Sequence, residues 1–146
     1  MTTLYSVGHS TVPLERFVAL VTGAGVDVVA DIRRFPRSRR HPQFGRSNLE
    51  RGLPIRYVWL GEELGGFREG GYEDWMTSAS FERGIAALEA LAADGTPAFM
   101  CAEGAPARCH RRFVAVELAS RGHQVAHLLP DGRLEWVPAP LTRPDR

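Results

Sequence analysis

The chemistry-bearing residues of this chain gather most densely in Cys-Ala-Glu-Gly-Ala-Pro-Ala-Arg-Cys-His-Arg-Arg, from Cys101 to Arg112. A thiol at a helix start or among arginines is favoured as the thiolate, because positive potential stabilises the charged form. Cys101 and Cys109 both meet that description, with His110 directly beside the second. The same helix start, together with Arg108 or Arg111, suits a phosphate or carboxylate. Glu103 is a carboxylate just past a buried strand and needs a partner or water. It is a candidate general acid or base, or else a cap for the following loop. Cysteine is also among the most buried residue types, so Cys101 reads equally well as a small core residue.

Two further segments offer groups of the same kind. In Gly8-His9-Ser10-Thr11 the glycine permits a tight turn, which would bring the imidazole and hydroxyls to the mouth of a crevice. His9 is then a candidate acid or base and Ser10 an anion ligand, unless Ser10 or Thr11 only caps a helix. Asp31 and Arg33 lie two residues apart. Either they pair with each other, or Arg33 faces a ligand while Asp31 orients His9. Arg33, Arg34, Arg37, Arg39, Arg40 and Arg46 crowd a stretch without an acidic residue, and Phe35 and Phe44 within it could stack on a base. A charge run also suits a solvated face.

Other chemistry is excluded by composition. All 18 basic residues are Arg, so Schiff-base lysines and the phosphate-binding lysine of a Walker loop are absent. Cys101, Cys109, His110, His9 and Asp31 are zinc ligands in kind, but neither C-x-x-C nor H-E-x-x-H occurs, and no metal site is expected. No G-x-G-x-x-G is present, and no cofactor is implied. Cys101 and Arg108 miss the Cys-to-Arg spacing of tyrosine phosphatases by one residue. A rhodanese-like sulfur carrier would rest only on a Cys after a strand. The N-terminal MTTLYSVGHS has no basic or apolar leader region, and nothing approaches the roughly 20 apolar residues of a membrane span. The expectation is a cytoplasmic chain with no membrane contact and both cysteines as thiols.

These groups need elements to bring them together. Leu4 to Val7, Val26 to Ala30, Ile55 to Leu60, Ala98 to Cys101 and Gln124 to Leu129 read as strands. Helices are expected over Val12 to Val21, Ser47 to Arg51, Ser80 to Ala93 and Cys109 to Ser120. The third has Ser80 as its cap and Phe81, Ile85, Leu88 and Leu91 inward, and the last offers Phe113, Val116 and Leu118 to the core. Ile32 to Gly45 reads as a loop, broken by Pro36 and Pro42, and Gly61 to Gly71 as a glycine-rich one. Asp131-Gly132 predicts a hairpin returning over Arg133 to Val137.

The alternation predicts an α/β fold, a mostly parallel Rossmann-like three-layer sandwich with about five parallel strands and a C-terminal antiparallel hairpin strand. One domain is expected over 1–137, followed by an irregular Pro-rich tail over 138–146. In such sheets ligands bind beyond the carboxyl ends of the strands, where the loops after the first four strands should converge.

Four ordered motifs resemble the family catalogued as domain of unknown function 488. They are Tyr5-Ser6-Val7-Gly8-His9-Ser10; Asp31-Ile32-Arg33 with Pro36 and Ser38; Leu64-Gly65-Gly66; and Cys101-Ala102-Glu103 with Pro106 and Cys109-His110-Arg111. The resemblance implies an α/β fold and a stand-alone bacterial or archaeal cytoplasmic protein, and it brings no activity with it. The function expected from the residues is an enzyme acting on a phosphate-bearing substrate, a nucleotide or nucleic acid. His9, Asp31, Glu103, Cys109 and His110 would carry the chemistry, and Ser10, Arg33, Arg37, Arg108 and Arg111 would hold the anion. The alternative is a non-catalytic module that binds nucleic acid or a small anion through the Arg33 to Arg46 loop.

Overall fold

Runs of β-branched and apolar residues too continuous for an amphipathic surface strand demand burial on both faces, and the sheet provides it. The computed structural model describes residues 2–139. The strands are β1 (Thr3–Gly8), β2 (Val28–Asp31), β3 (Arg56–Trp59), β4 (Pro97–Cys101), β5 (Gln124–Leu128) and β6 (Leu134–Trp136). They form one sheet in the order β3-β2-β4-β1-β5-β6. The first five are mutually parallel, and β6 returns antiparallel to β5 through the expected turn at Gly132.

Helices α1 (Leu14–Gly23) and α2 (Arg46–Gly52) cover one face, where Phe17, Leu20, Val21 and Leu49 pack against Val7, Val29, Ala98 and Met100. Helices α5 (Ala79–Asp94) and α6 (Arg111–Ser120) cover the other, where Phe81, Ile85, Leu88, Val114 and Leu118 meet Leu4, Ala30, Phe99 and Val125. The result is an α/β three-layer sandwich. A single turn, α3 (Gly61–Leu64), interrupts the glycine-rich stretch expected as a loop, and another, α4 (Tyr72–Trp75), follows it.

Several local expectations are corrected. The cap of α5 is Ser78, whose hydroxyl accepts from the Phe81 amide at 3.1 Å; Ser80 lies inside the helix. Cys109 precedes α6 in extended backbone, separated from β4 by a 3₁₀ turn over Pro106–Arg108. The inner stripe of α6 is Arg111, Val114, Ala115, Leu118 and Ala119, so Val116, expected in the core, is exposed. A further 3₁₀ turn over Pro42–Phe44 orders part of the Ile32 to Gly45 loop. The Pro-rich tail lies outside the described residues from position 140 onward.

The topology places the site. The connections leaving β1 and β2 run to the α1/α2 face, whereas the one leaving β4, which lies between them, runs to the α5/α6 face. Neighbouring strands whose connections part in this way open a crevice at their carboxyl ends. Beyond the ladder, His9 N–H donates to the Cys101 carbonyl and Ser10 N–H to that of Ala102, both at 2.9 Å, which ties the two loops together. Gly8 is required here, since a Cβ at this position would sit 1.8 Å from the Glu103 carbonyl oxygen.

Candidate functional site

Two clusters form at this edge, one on each face of the sheet, and each is built around a buried arginine. On the α1/α2 face, Asp31 is fully buried at the end of β2. It accepts from Arg33 Nε at 2.8 Å and Nη2 at 2.7 Å, from the Arg33 amide at 3.1 Å, and from the Tyr57 hydroxyl at 2.5 Å. Of the two roles open to this pair, the structure has them bonded to each other, and Asp31 does not touch His9. Burial pulls the Arg33 pKa down, but the bonds and charge of Asp31 outweigh it and leave it raised. Burial, reinforced by the same carboxylate, pushes the Tyr57 phenol upward.

His9 completes this cluster. It is 3% exposed and stacks on Phe44 with ring centroids 4.3 Å apart. Its Nδ1 lies 2.9 Å from the Ser10 carbonyl and its Nε2 3.4 Å from Arg33 Nη1. A carbonyl only accepts and a guanidinium only donates, so the proton sits on Nδ1 and the ring is neutral. Burial is the main cause that lowers its pKa to about 4, and the Arg33 charge adds to it. Phe44, expected to stack on a base, is therefore committed to His9 and to Phe17. Ser10 adopts a left-handed backbone with φ 50° and packs against Gly104.

On the α5/α6 face the central group is Arg111, 0% exposed and the largest fully buried side chain among the described residues. Its Nε donates to Ser6 Oγ at 3.0 Å, Nη1 to Cys101 Sγ at 2.8 Å and to the Glu103 carbonyl, and Nη2 to the Gly104 carbonyl at 3.2 Å. The Ser6 hydroxyl passes its own proton to His127 Nδ1. Arg111, expected to hold an external anion, thus spends its donors inside the protein. Among the described residues no carboxylate lies within ion-pair reach of it.

What does face Arg111 is a pair of thiols. Cys101 Sγ and Cys109 Sγ lie 2.7 Å apart, and both cysteines are free. The extended backbone of Cys109 turns its sulfur back over the start of α6, 3.5 Å from the Arg111 amide and 3.7 Å from His110 Nδ1. The hydrogen bond with Cys101 is the main cause that holds the Cys109 thiol well below the ordinary range, against burial, and His110 and the Arg111 amide add to it. Cys101, 2% exposed, is pushed up, mainly by burial. The pair titrates as one unit.

Above the pair lies a cavity of about 460 Å³, lined chiefly by Cys101 and Cys109 at its base, by Tyr72 and His110, and by Arg34, Arg37 and Arg108. Arg33 and Glu103 also reach it, as do Phe35 and Phe67 at its mouth. His9, Asp31, Ser10 and Arg111 do not line it; His9 and Asp31 reach it only through Arg33. Glu103 uses Oε1 to accept from the Ala105 amide at 3.0 Å, the loop-capping role, while remaining exposed. His110 Nε2 is buried without a hydrogen-bond partner. The ring occupies a slot beside Tyr72, with centroids 5.0 Å apart, and a Cβ on Gly66 would come within 3.1 Å of it.

Sequence reasoning missed Tyr57, Tyr72 and Phe67. Tyr57 lies on a strand read for its apolar pattern alone, and Tyr72 in the stretch between Gly71 and Ser80, to which the sequence pattern assigns no element. Phe67 carried a usable signal, a large aromatic stranded among glycines and charges. It is 86% exposed and holds a left-handed φ of 60°, with its carbonyl 2.5 Å from Arg34 Nη1. Among the described residues no group of three or more His, Cys, Asp or Glu could hold a metal ion, and no helix is long and apolar enough to cross a membrane.

A family model described as a domain of unknown function, DUF488, matches residues 13–118, well over half of the chain. The chain belongs to this family. Three of the four DUF488-like motifs, from Asp31 onward, fall inside the matched stretch, and Tyr5 to Ser10 precedes it. Searches of curated proteins and of solved structures returned no match.

Proposed function

We propose that this DUF488 protein is a thiol-dependent enzyme acting on a phosphate-bearing substrate, with Cys109 as nucleophile. The observation that carries the reading is Arg111, a fully buried guanidinium with no carboxylate beside it, bonded to Cys101, whose sulfur lies 2.7 Å from that of Cys109. A buried charge without a counter-charge is strongly unfavourable, and the thiol pair is the ionisable group in place to supply one. A thiolate is therefore built into the folded state, and Cys109, 7% exposed, meets the cavity at its lining.

Arg34, Arg37 and Arg108 suit the anionic part of the substrate, and Phe35, Phe67 and Tyr72 a flat or apolar part. His110 Nε2, unpartnered, is the candidate proton carrier, and Glu103 at the rim is a second. His9, Asp31 and Tyr57 are positioning residues that hold Arg33 against the cavity wall. The test is alkylation of the reduced protein by iodoacetamide at pH 6, alone and with inorganic pyrophosphate or a nucleoside monophosphate present. Fast modification confined to Cys109 and slowed by the phosphate compound is expected. Two thiols that stay inert until denaturant is added would contradict the reading.

A second reading rests on the neighbouring groove of about 870 Å³, lined by Arg34, Arg37, Arg46, Phe35 and Trp59, with the Arg46 guanidinium 4.9 Å from the Trp59 ring. Interleaved arginines and aromatics suit single-stranded nucleic acid. Binding of a labelled oligonucleotide that weakens steeply with salt is expected, and no binding at low salt would remove this reading.

A further inference from the structure

The role of Cys109 as an accessible thiolate leaves Cys101 unexplained. It is 2% exposed, accepts from the Cys109 thiol and from Arg111 Nη1, and directs its own S–H to the Glu103 carbonyl at 3.6 Å, so it is no second nucleophile for a substrate of any size. Yet the sulfurs lie 2.7 Å apart with nothing between them. Cys101 is fixed at the end of a central strand, whereas Cys109 lies on the loop that leads into α6 and can move toward it without breaking a helix or a ladder. We propose that Cys101 is a resolving thiol and that the two cysteines form a reversible dithiol–disulfide couple, oxidised by a small hydroperoxide entering the cavity. The proposal rests on the reading of Cys109 as a thiolate and adds a second chemistry to the same site.

The steps balance. The Cys109 thiolate attacks the terminal oxygen of the hydroperoxide, an S–O bond forms, the O–O bond breaks, and the alkoxide or hydroxide leaves and takes a proton from solvent. Cys109 is then a sulfenic acid. The Cys101 sulfur attacks Cys109 Sγ, forming the S–S bond, and the hydroxyl departs with the Cys101 proton as water. Two electrons have passed from the dithiol to the peroxide, and an external dithiol returns them by exchange.

Arg111 sets the direction of this equilibrium. The disulfide is neutral, so oxidation removes the negative charge that faces the buried guanidinium. The reduced form is thereby favoured, which is the condition for a readily reduced, switching disulfide and not a structural one. Oxidation also silences the Cys109 nucleophile while protecting it from irreversible oxidation.

The experiment treats the reduced, folded protein with one equivalent of hydrogen peroxide, blocks remaining thiols in denaturant, and reads intact mass and tryptic peptides. Cleavage after Arg108 puts the two cysteines on separate peptides, so a disulfide appears as a linked pair. Loss of two hydrogens, a linked pair joining Cys101 to Cys109, and reversal by glutathione are expected. In Cys101→Ala, Cys109 should instead be trapped by dimedone as sulfenic acid. Oxygen added to wild-type Cys109 without a linked pair, or a linked pair that resists glutathione, would overturn the proposal. If Cys109 alkylates rapidly at pH 6 but no linked pair forms, this inference alone fails. If Cys109 does not alkylate, the proposed function fails with it.

Discussion

Arg33 and Arg111 are both buried arginines at the carboxyl edge of one sheet, on opposite faces, and they differ in what neutralises them. Arg33 is held by Asp31 in a two-point ion pair that also satisfies Tyr57 and fixes His9 as a neutral ring. Arg111 has two carbonyls, a serine hydroxyl and the Cys101 thiol, which lies against that of Cys109. The first cluster is closed: each charge has its opposite, and no group in it gains from a new bond. The second is balanced only if a sulfur is ionised, and that sulfur borders a cavity. The same residue type therefore serves structure on one face and reactivity on the other, and the difference lies in whether the acid beside it is a carboxylate or a thiol.

The largest effect should come from opening the closed cluster. Asp31→Asn leaves the Arg33 charge buried and is expected to cost about 3–5 kcal/mol of stability by denaturant titration. Alkylation of Cys109 in the folded variant should stay at the wild-type rate. A large fall in that rate would show that the two clusters are not independent.

The same cluster should respond to acid. The His9 pKa of about 4 lies below its ordinary 6.5, so the unfolded chain binds the extra proton between those values. The contribution is therefore present above pH 6.5 and lost as pH falls through 4, amounting to up to about 3 kcal/mol. His9→Phe, which keeps a ring against Phe44, should flatten much of this slope in a thermal melt series. A residue should persist from His127, lowered mainly by burial and also by Arg111. An unchanged slope would mean that His9 is not the buried neutral ring described.

In the open cluster, Arg111→Met removes the charge that demands a thiolate. Alkylation of Cys109 at pH 6 should slow by about tenfold, because the thiol pair loses the guanidinium that bonds Cys101 while His110 and the helix amide still act on Cys109. An unchanged rate in a variant with native circular dichroism would detach Cys109 from Arg111. The smallest effect concerns the cavity mouth. Phe67→Gly relieves a left-handed backbone and should raise stability by about 1 kcal/mol. It should also weaken protection of Cys109 by a ring-bearing phosphate compound more than protection by pyrophosphate. Equal loss for both would remove the aromatic mouth from substrate recognition.

How far this was legible in the sequence follows the same division. Strands with continuous apolar runs and the Asp-Gly turn announce themselves, so the sheet and its final hairpin were readable, as was the convergence of His9, Asp31, Glu103 and Cys109 on one edge. Their separation onto two faces was not, because it depends on which loop turns which way. The inner stripe of α6 runs Arg111, Val114, Ala115, Leu118 and Ala119, at the spacing of a helix face. Counting apolar residues alone discards its first member and shifts the stripe, which placed Val116 inside. Arginine is so rarely buried without a carboxylate that its sequence position gave no hint of its role. Cys109 was read into the helix for a related reason: only the extended residue before α6 brings its sulfur to Cys101, and no local pattern marks that turn.

The proposed function requires a thiolate at Cys109 in the folded state. Its most direct measurement is a pH titration of the ultraviolet thiolate absorbance of the reduced, folded protein, compared with Cys109→Ser. One thiolate should persist at pH 6, be absent from the Cys109→Ser variant, and disappear only well into the acid range. Absorbance that vanishes near the ordinary thiol pKa of about 8.5 would contradict it.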